Sequence, residues 1–155
     1  MFLNPGDTEK LPIMRNALAV TELVSAICAV FQADDTDLTE DYDKMLMRHL
    51  LEQMHAEALS IPAKITDTEN TINFNRRMEN AVLMKRSACY ILESVTELES
   101  ILPDTDKSYL DLLRTAIDAF RMEFIHWVQS IKLHTKHDDD GWGLWNQYIN
   151  DRQPE

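Results

Sequence analysis

The chain has 155 residues, 45% of them hydrophobic, and a formal net charge of -12. Its length is typical of one domain with a core of its own. The acidic balance argues against generic binding to nucleic acid or to an anionic membrane, because both attract positive surfaces. With 3 Gly and 5 Pro, few turns are expected, and no stretch alternates apolar and polar residues long enough to predict a strand. We therefore predict an all-α protein.

Four helices are predicted between a lead-in over residues 1–10 and an acidic, aromatic tail over 136–155. Their predicted spans are about 12–31, 42–66 and 74–102, with a fourth that begins after a cap within 104–107 and ends near His134. Pro62 lies inside the second helix, where we expect a kink or a break. Short connections favour an up-down-up-down four-helix bundle over residues 11–135.

No signal peptide and no apolar run of membrane-spanning length is apparent, which predicts a cytoplasmic protein without membrane contact. Cys28 and Cys89 each stand alone within an apolar helical pattern. This setting favours buried, reduced thiols over a disulfide or a nucleophile.

Two Glu-x-x-His motifs, Glu52/His55 and Glu123/His126, raise the hypothesis of a metal site. In di-iron bundles, two such motifs and a glutamate from each of two other helices project into the core. Glu22 and Glu93 would supply those glutamates, because each precedes one motif by about 30 residues. A metal-dependent bundle enzyme is therefore one hypothesis.

The apolar stripes of the helices argue against that hypothesis. Each helical residue turns about 100° from the last, so the stripes define which side chains point inward. The stripes are Ile13, Ala17, Val20, Val24, Ile27 and Phe31; Met47, Leu50, Leu51, Met54, Ala58, Ile61 and Ile65; the Cys89, Leu92 and Val95 side of the third helix; and Leu110, Leu113, Ile117, Phe120, Phe124, Val128 and Ile131. The six motif residues mostly fall outside them, so we predict no metal and no cofactor. We also predict no catalytic residue, because no serine has a paired His and Asp and no Gly-rich phosphate loop is present.

Positive charge is densest on the third helix and the segment before it. The residues are Lys64, Arg76, Arg77, Lys85 and Arg86. Arginine presents a planar fork to phosphate, so these residues are candidate nucleic-acid contacts. Pairing with neighbouring acids explains them equally well, and the net charge of -12 opposes nucleic-acid binding.

Several large apolar residues lie off the predicted stripes or in the tail. The candidate interface residues are Met14, Leu18, Leu83, Leu98, Ile101, Ile125, Trp142 and Trp145. A large apolar patch on a soluble chain usually marks a partner surface. We therefore expect self-association, although some of these residues would instead widen the core.

Three stretches resemble a known family of small four-helix bundle proteins encoded in intervening sequences of large-subunit ribosomal RNA genes. They are LPIMRNALAV, HLLEQMHAEALSIPAKITDTENT and FNRRMENAVLMKRSACYILESVTELESIL. The landmark is ALSIPAKI, residues 58–65, which is similar to an alanine-rich segment of the family that ends in Ser-Ile-Pro. In the fourth helix, EFIHWVQSI is similar to the related accessory variability determinants of diversity-generating retroelements.

The resemblance implies an up-down-up-down bundle, commonly assembled as a homopentamer, with no known catalytic residues. For the retroelement branch it also implies contact with a reverse transcriptase and with nucleic acid. The chain departs from the family at residues 66–69, TDTE, where a glycine-containing turn is common, and in its acidic charge. The sequence thus predicts a non-enzymatic, oligomeric bundle that acts through an unidentified protein partner. A nucleic-acid-associated accessory protein is the alternative.

Overall fold

The computed structural model describes residues 6–33, 41–102, 107–135 and 141–144. A short 3-10 helix, Thr8–Lys10, precedes four α-helices. They are α1 (Pro12–Ala33), α2 (Asp41–Glu69), α3 (Phe74–Ile101) and α4 (Ser108–His134). Each helix packs against the next, and α4 also packs against α1. The protein is an all-α four-helix bundle, as predicted.

Hydrogen bonds between helices show that helices adjacent in the sequence run antiparallel. Thr21 on α1 contacts Ala58 on α2, and Cys28 further along α1 contacts Leu51 earlier on α2. Residue numbers therefore rise in opposite directions on these helices. The same holds for α2 and α3, where Ser60 pairs with Ser87 and Asp67 with Asn80. It also holds for α3 and α4, where Arg77 contacts Thr135 and Arg114 contacts Glu99.

The helix limits follow local chemistry. Pro12 occupies the first position of α1, where a missing N–H costs nothing. Asn73 caps α3, because its side-chain oxygen accepts a hydrogen bond from the Arg76 N–H at 2.9 Å. The predicted spans are confirmed to within a few residues, with α2 continuing past residue 66 to Glu69.

Pro62 does not break α2, which runs unbroken from Asp41 to Glu69. Proline has no N–H to donate, so the carbonyl of Ala58, four residues earlier, loses its helical partner. The Thr21 hydroxyl of α1 lies 3.2 Å from that carbonyl oxygen and donates to it. A side chain of the neighbouring helix thus satisfies the group that the proline leaves without a donor.

The core confirms the predicted stripes of α1 and α2, whose members are all buried. In α4, Phe124 and Val128 are only partly buried, and Trp127 is buried in addition to the predicted residues. The prediction for α3 was correct only in part, because Val95 is buried and Leu92 packs against the core, but Cys89 is exposed. The buried stripe of α3 is Phe74, Met78, Ala81, Met84, Ala88, Ile91, Val95 and Leu98.

This corrected orientation of α3 also changes the interpretation of the thiols. Cys89 is exposed rather than buried, and Cys28 is half-buried. Burial raises the pKa of the Cys28 thiol, whose Sγ lies 3.5 Å from the Leu51 carbonyl oxygen. The expectation of two buried cysteines is therefore corrected.

In the part of the chain that the structure describes, one helix is long and apolar enough to cross a membrane by length and composition, namely the 20 residues Pro12–Phe31 of α1. The expectation that the chain has no such run is therefore wrong. The core helix of a bundle passes the same test, and α1 contributes a full buried stripe from Ile13 to Phe31.

Contact between α3 and α4 is the least extensive among the neighbouring helices. Arg114 of α4 bridges this gap with two hydrogen bonds to the Glu99 carboxylate of α3. The hydrogen bond from Arg114 lowers the pKa of Glu99. At the opposite end, the Trp127 Nε1–H donates to the Glu69 carboxylate at 2.9 Å and joins α4 to α2.

A candidate interaction groove between α2 and α3

The Glu-x-x-His residues do not converge in the bundle. Four of the six motif residues are exposed: Glu22, Glu52, Glu93 and His126. Glu123 and His55 are half-buried, and the His55 Nε2 lies 3.4 Å from the Ser25 hydroxyl. Within the described ranges, no group of three or more His, Cys, Asp or Glu side chains lies close enough to hold a metal ion.

Two of the predicted phosphate-binding arginines make contacts within the bundle. Arg76 donates to both oxygens of Asp67, through Nε at 3.0 Å and Nη2 at 2.8 Å. Arg77 donates through Nε to the Thr68 carbonyl at 3.0 Å and through Nη1 to the Thr135 hydroxyl. The guanidinium groups of Arg76 and Arg77 thus link the start of α3 to the end of α2 and to the end of α4.

Of the three remaining cations, two share one groove and the third lies outside it. Lys64 and Arg86 line one groove between α2 and α3. Lys85 is exposed and directly precedes Arg86, so its side chain leaves α3 about 100° away. The five cations that the sequence grouped therefore do not form a single positive face.

The groove that Lys64 and Arg86 share has a cavity volume of about 410 Å³ and is called the α2–α3 groove below. Its lining residues are Glu57, Ser60, Lys64, Leu83, Arg86, Ser87 and Tyr90. Ser60 donates to the Glu57 carbonyl at 2.7 Å, and Ser87 donates to its carboxylate at 2.5 Å. The Ser87 contact holds the Glu57 side chain of α2 against α3.

The chemistry of this groove is amphipathic. Leu83 and Tyr90 supply apolar surface, and Leu83 is 39% exposed. Lys64 and Arg86 supply positive charge, and the Glu57 carboxylate supplies a hydrogen-bond acceptor. Such a lining suits an aromatic or aliphatic side chain that is accompanied by negative charge.

A second depression, of about 580 Å³, adjoins the groove at the end of α2 and shares Lys64 and Leu83 with it. Asp67 dominates it. The Asp67 carboxylate accepts hydrogen bonds from the buried Asn80 at 2.7 Å and from Arg76, and these bonds lower the pKa of Asp67. Because Asp67 already bonds to Arg76 and Asn80, we regard these three residues as a structural network.

The predicted interface residues divide into three groups. Leu18, Leu83 and Ile125 are about 40% exposed, at 40%, 39% and 42%, and Trp142 is 81% exposed. Ile101 is half-buried against the core. The predictions for Met14 and Leu98 were wrong, since they are 5% and 0% exposed and belong to the core. Trp145 lies outside the described residues.

Sequence reasoning missed the polar half of the α2–α3 groove. Glu57, Ser87 and Tyr90 matched no motif, and their proximity depends on the rotation of α3. The apolar residues Met84, Ala88 and Ile91 could have predicted this position, because a helix that buries them directs Ser87 towards α2.

The chain matches no protein-family model, and neither the curated proteins nor the solved structures contain a match to it.

Proposed function

We propose that this protein is a non-enzymatic bundle that works by binding copies of itself and a protein partner. The observation that carries the proposal is the apolar surface left uncovered on several helices. Leu18 lies on α1, Leu83 on α3 and Ile125 on α4, each about 40% exposed, so at least three helices carry it. Further large apolar residues are exposed among the described residues: Tyr42, Met45, Leu59, Ile72, Val82, Tyr109, Leu112, Met122, Leu133, Trp142 and Leu144.

Apolar surface of this extent favours association. Single exposed leucines are ordinary. Full burial of a large aliphatic side chain contributes about 1.5–3 kcal/mol, so covering the exposed part of Leu18, Leu83 or Ile125 contributes on the order of 1 kcal/mol each. Distribution over several helices suits an assembly in which each copy touches two neighbours through different faces. The homopentamer that the family resemblance implies is one assembly of this kind.

The nucleic-acid alternative has weaker support. It requires cations that converge on a phosphate backbone. Arg76 and Arg77 bond to Asp67, Thr68 and Thr135 instead. Retention of the chain on RNA at low salt, with affinity falling as salt rises, would favour this alternative over the proposed function.

The proposal is tested by lysine substitution of the exposed aliphatic residues, with light scattering of the purified protein as the measurement. Leu18→Lys, Leu83→Lys and Ile125→Lys should each shift the assembly towards the 18.0 kDa protomer. Circular dichroism should show unchanged helix content, because none of these side chains is in the core. Leu18→Asn provides a milder control at one position. A mass that none of the three substitutions lowers would contradict the proposal.

A further inference from the structure

The segment after α4 carries an exposed tryptophan between two glycines. Trp142 is 81% exposed, and Leu144 next to it is 65% exposed. Gly141 and Gly143 flank Trp142 with φ of 83° and 68°, which other residues rarely adopt. The two glycines therefore allow turns on both sides of the indole. In the sequence, three aspartates, residues 138–140, directly precede this Gly-Trp-Gly-Leu segment.

The α2–α3 groove has the features that this segment requires. Leu83 and Tyr90 offer apolar contact to an indole, and the Glu57 carboxylate can accept its N–H. Arg86 can stack on the ring face. Lys64 and Arg86 together attract a segment that carries three aspartates. A volume of about 410 Å³ lies within the range of pockets that hold a bound group.

Two other cavities among the described residues fit less well. A cavity of about 330 Å³ between α1 and α2 has Glu9 as its one charged lining residue, which would repel the aspartates. In the depression at the end of α2, the Arg76 guanidinium is held by Asp67, and Glu79 adds a second carboxylate. Charge complementarity thus selects the α2–α3 groove.

We propose that the Trp142 segment of one copy docks in the α2–α3 groove of a second copy. This inference rests on the self-association proposed above and names the surfaces that meet. Trp142 is exposed on its own bundle, and the groove beside Leu83 is open on the same chain. Each copy thus carries one segment and one groove. A contact between unlike surfaces joins copies head to tail and closes into a ring, or continues as a filament.

The test compares Trp142→Ala, which removes the docked side chain, with Arg86→Glu, which reverses charge in the groove. Lys85→Glu is the matched control, because it makes the same charge change one residue away and outside the groove. By light scattering on a dilution series, the first two variants should dissociate at protein concentrations at least about tenfold higher than the wild type does. Lys85→Glu should behave as the wild type.

Mixing the two defective variants adds a test of docking between copies. Trp142→Ala keeps an intact groove and Arg86→Glu keeps an intact segment, so the mixture should form one contact per pair. Its mass should rise to about twice 18.0 kDa, above that of either variant alone. No rise on mixing would overturn docking between copies.

The outcomes separate this inference from the proposed function. A wild type that stays at 18.0 kDa throughout would overturn both. An assembled wild type whose mass is unchanged by Trp142→Ala and Arg86→Glu would overturn the docking alone. Circular dichroism of each variant checks that the bundle still folds, which is expected because neither side chain is buried.

Discussion

The Thr21 hydroxyl should stabilise the protein by donating to a carbonyl that a proline on another helix leaves without its helical donor. Pro62 deprives the Ala58 carbonyl of its helical donor, and the Thr21 Oγ1 lies 3.2 Å from that oxygen. Thr21→Val keeps the branched shape but removes the donor. Pro62→Ala restores an N–H that donates to the same carbonyl. The two substitutions should therefore be coupled, although the residues are 41 positions apart in the sequence.

The coupling has an expected size. A buried carbonyl left without a donor costs about 1–3 kcal/mol. Thr21 is half-buried and its hydroxyl is shared with the Ala17 carbonyl at 3.0 Å, so about 1 kcal/mol is expected for Thr21→Val beside Pro62. In the Pro62→Ala variant the same substitution should cost only a few tenths of a kcal/mol. Pro62→Ala alone should be stabilising, since proline within a helix costs about 3 kcal/mol relative to alanine.

Urea denaturation followed by circular dichroism measures the four free energies of unfolding, at one protein concentration so that association affects all alike. With a slope of about 2 kcal/mol per molar urea, a coupling of about 0.7 kcal/mol makes the midpoint shifts that Thr21→Val causes with and without Pro62 differ by about 0.35 M. Equal costs of Thr21→Val with and without Pro62 would refute the explanation, because independent sites add within about 0.5 kcal/mol.

Three further predictions concern burial and charge. Leu98→Ala should lower the free energy of unfolding by about 2–5 kcal/mol. Leu83→Ala should lower it by about 1 kcal/mol or less, as measured by urea titration of the dissociated protomer. Equal costs for the two substitutions would contradict the orientation of α3. Because its folded pKa is lowered, Asp67 stabilises the protein above its unfolded pKa of about 4, and this contribution is lost as pH falls through the folded pKa. Asp67→Asn should therefore flatten the loss of stability in acid, and an unchanged slope would refute the network. A thiol reagent at neutral pH should modify Cys89 before Cys28, because burial protects the Cys28 thiol and raises its pKa; mass spectrometry of the modified peptides identifies the order.

Apolar periodicity was sufficient to predict the fold class, the helix limits and the cores of α1 and α2, because strong stripes fix both length and rotation. It placed α3 only approximately, because the core of α3 combines small and polar residues with large ones. Asn80, Ser87 and Ser94 are buried there among apolar residues. A stripe interrupted by buried polar side chains has no clear centre, so Cys89 was placed inside and Leu98 outside.

Features that depend on contacts between distant segments could not be predicted. Met14 is buried near the start of α1, where the 3-10 helix Thr8–Lys10 contacts α1. The partners of Arg76 and Arg77 are side chains or carbonyls on other helices. The α2–α3 groove likewise exists only because two antiparallel helices bring Lys64 and Arg86 together.

Sedimentation velocity of the wild type over a hundredfold dilution tests the central claim most directly, namely that the outer faces of this bundle bind other copies of it. The account predicts a species larger than the 18.0 kDa protomer at high concentration that gives way to the protomer on dilution. A single 18.0 kDa species at every concentration would contradict it.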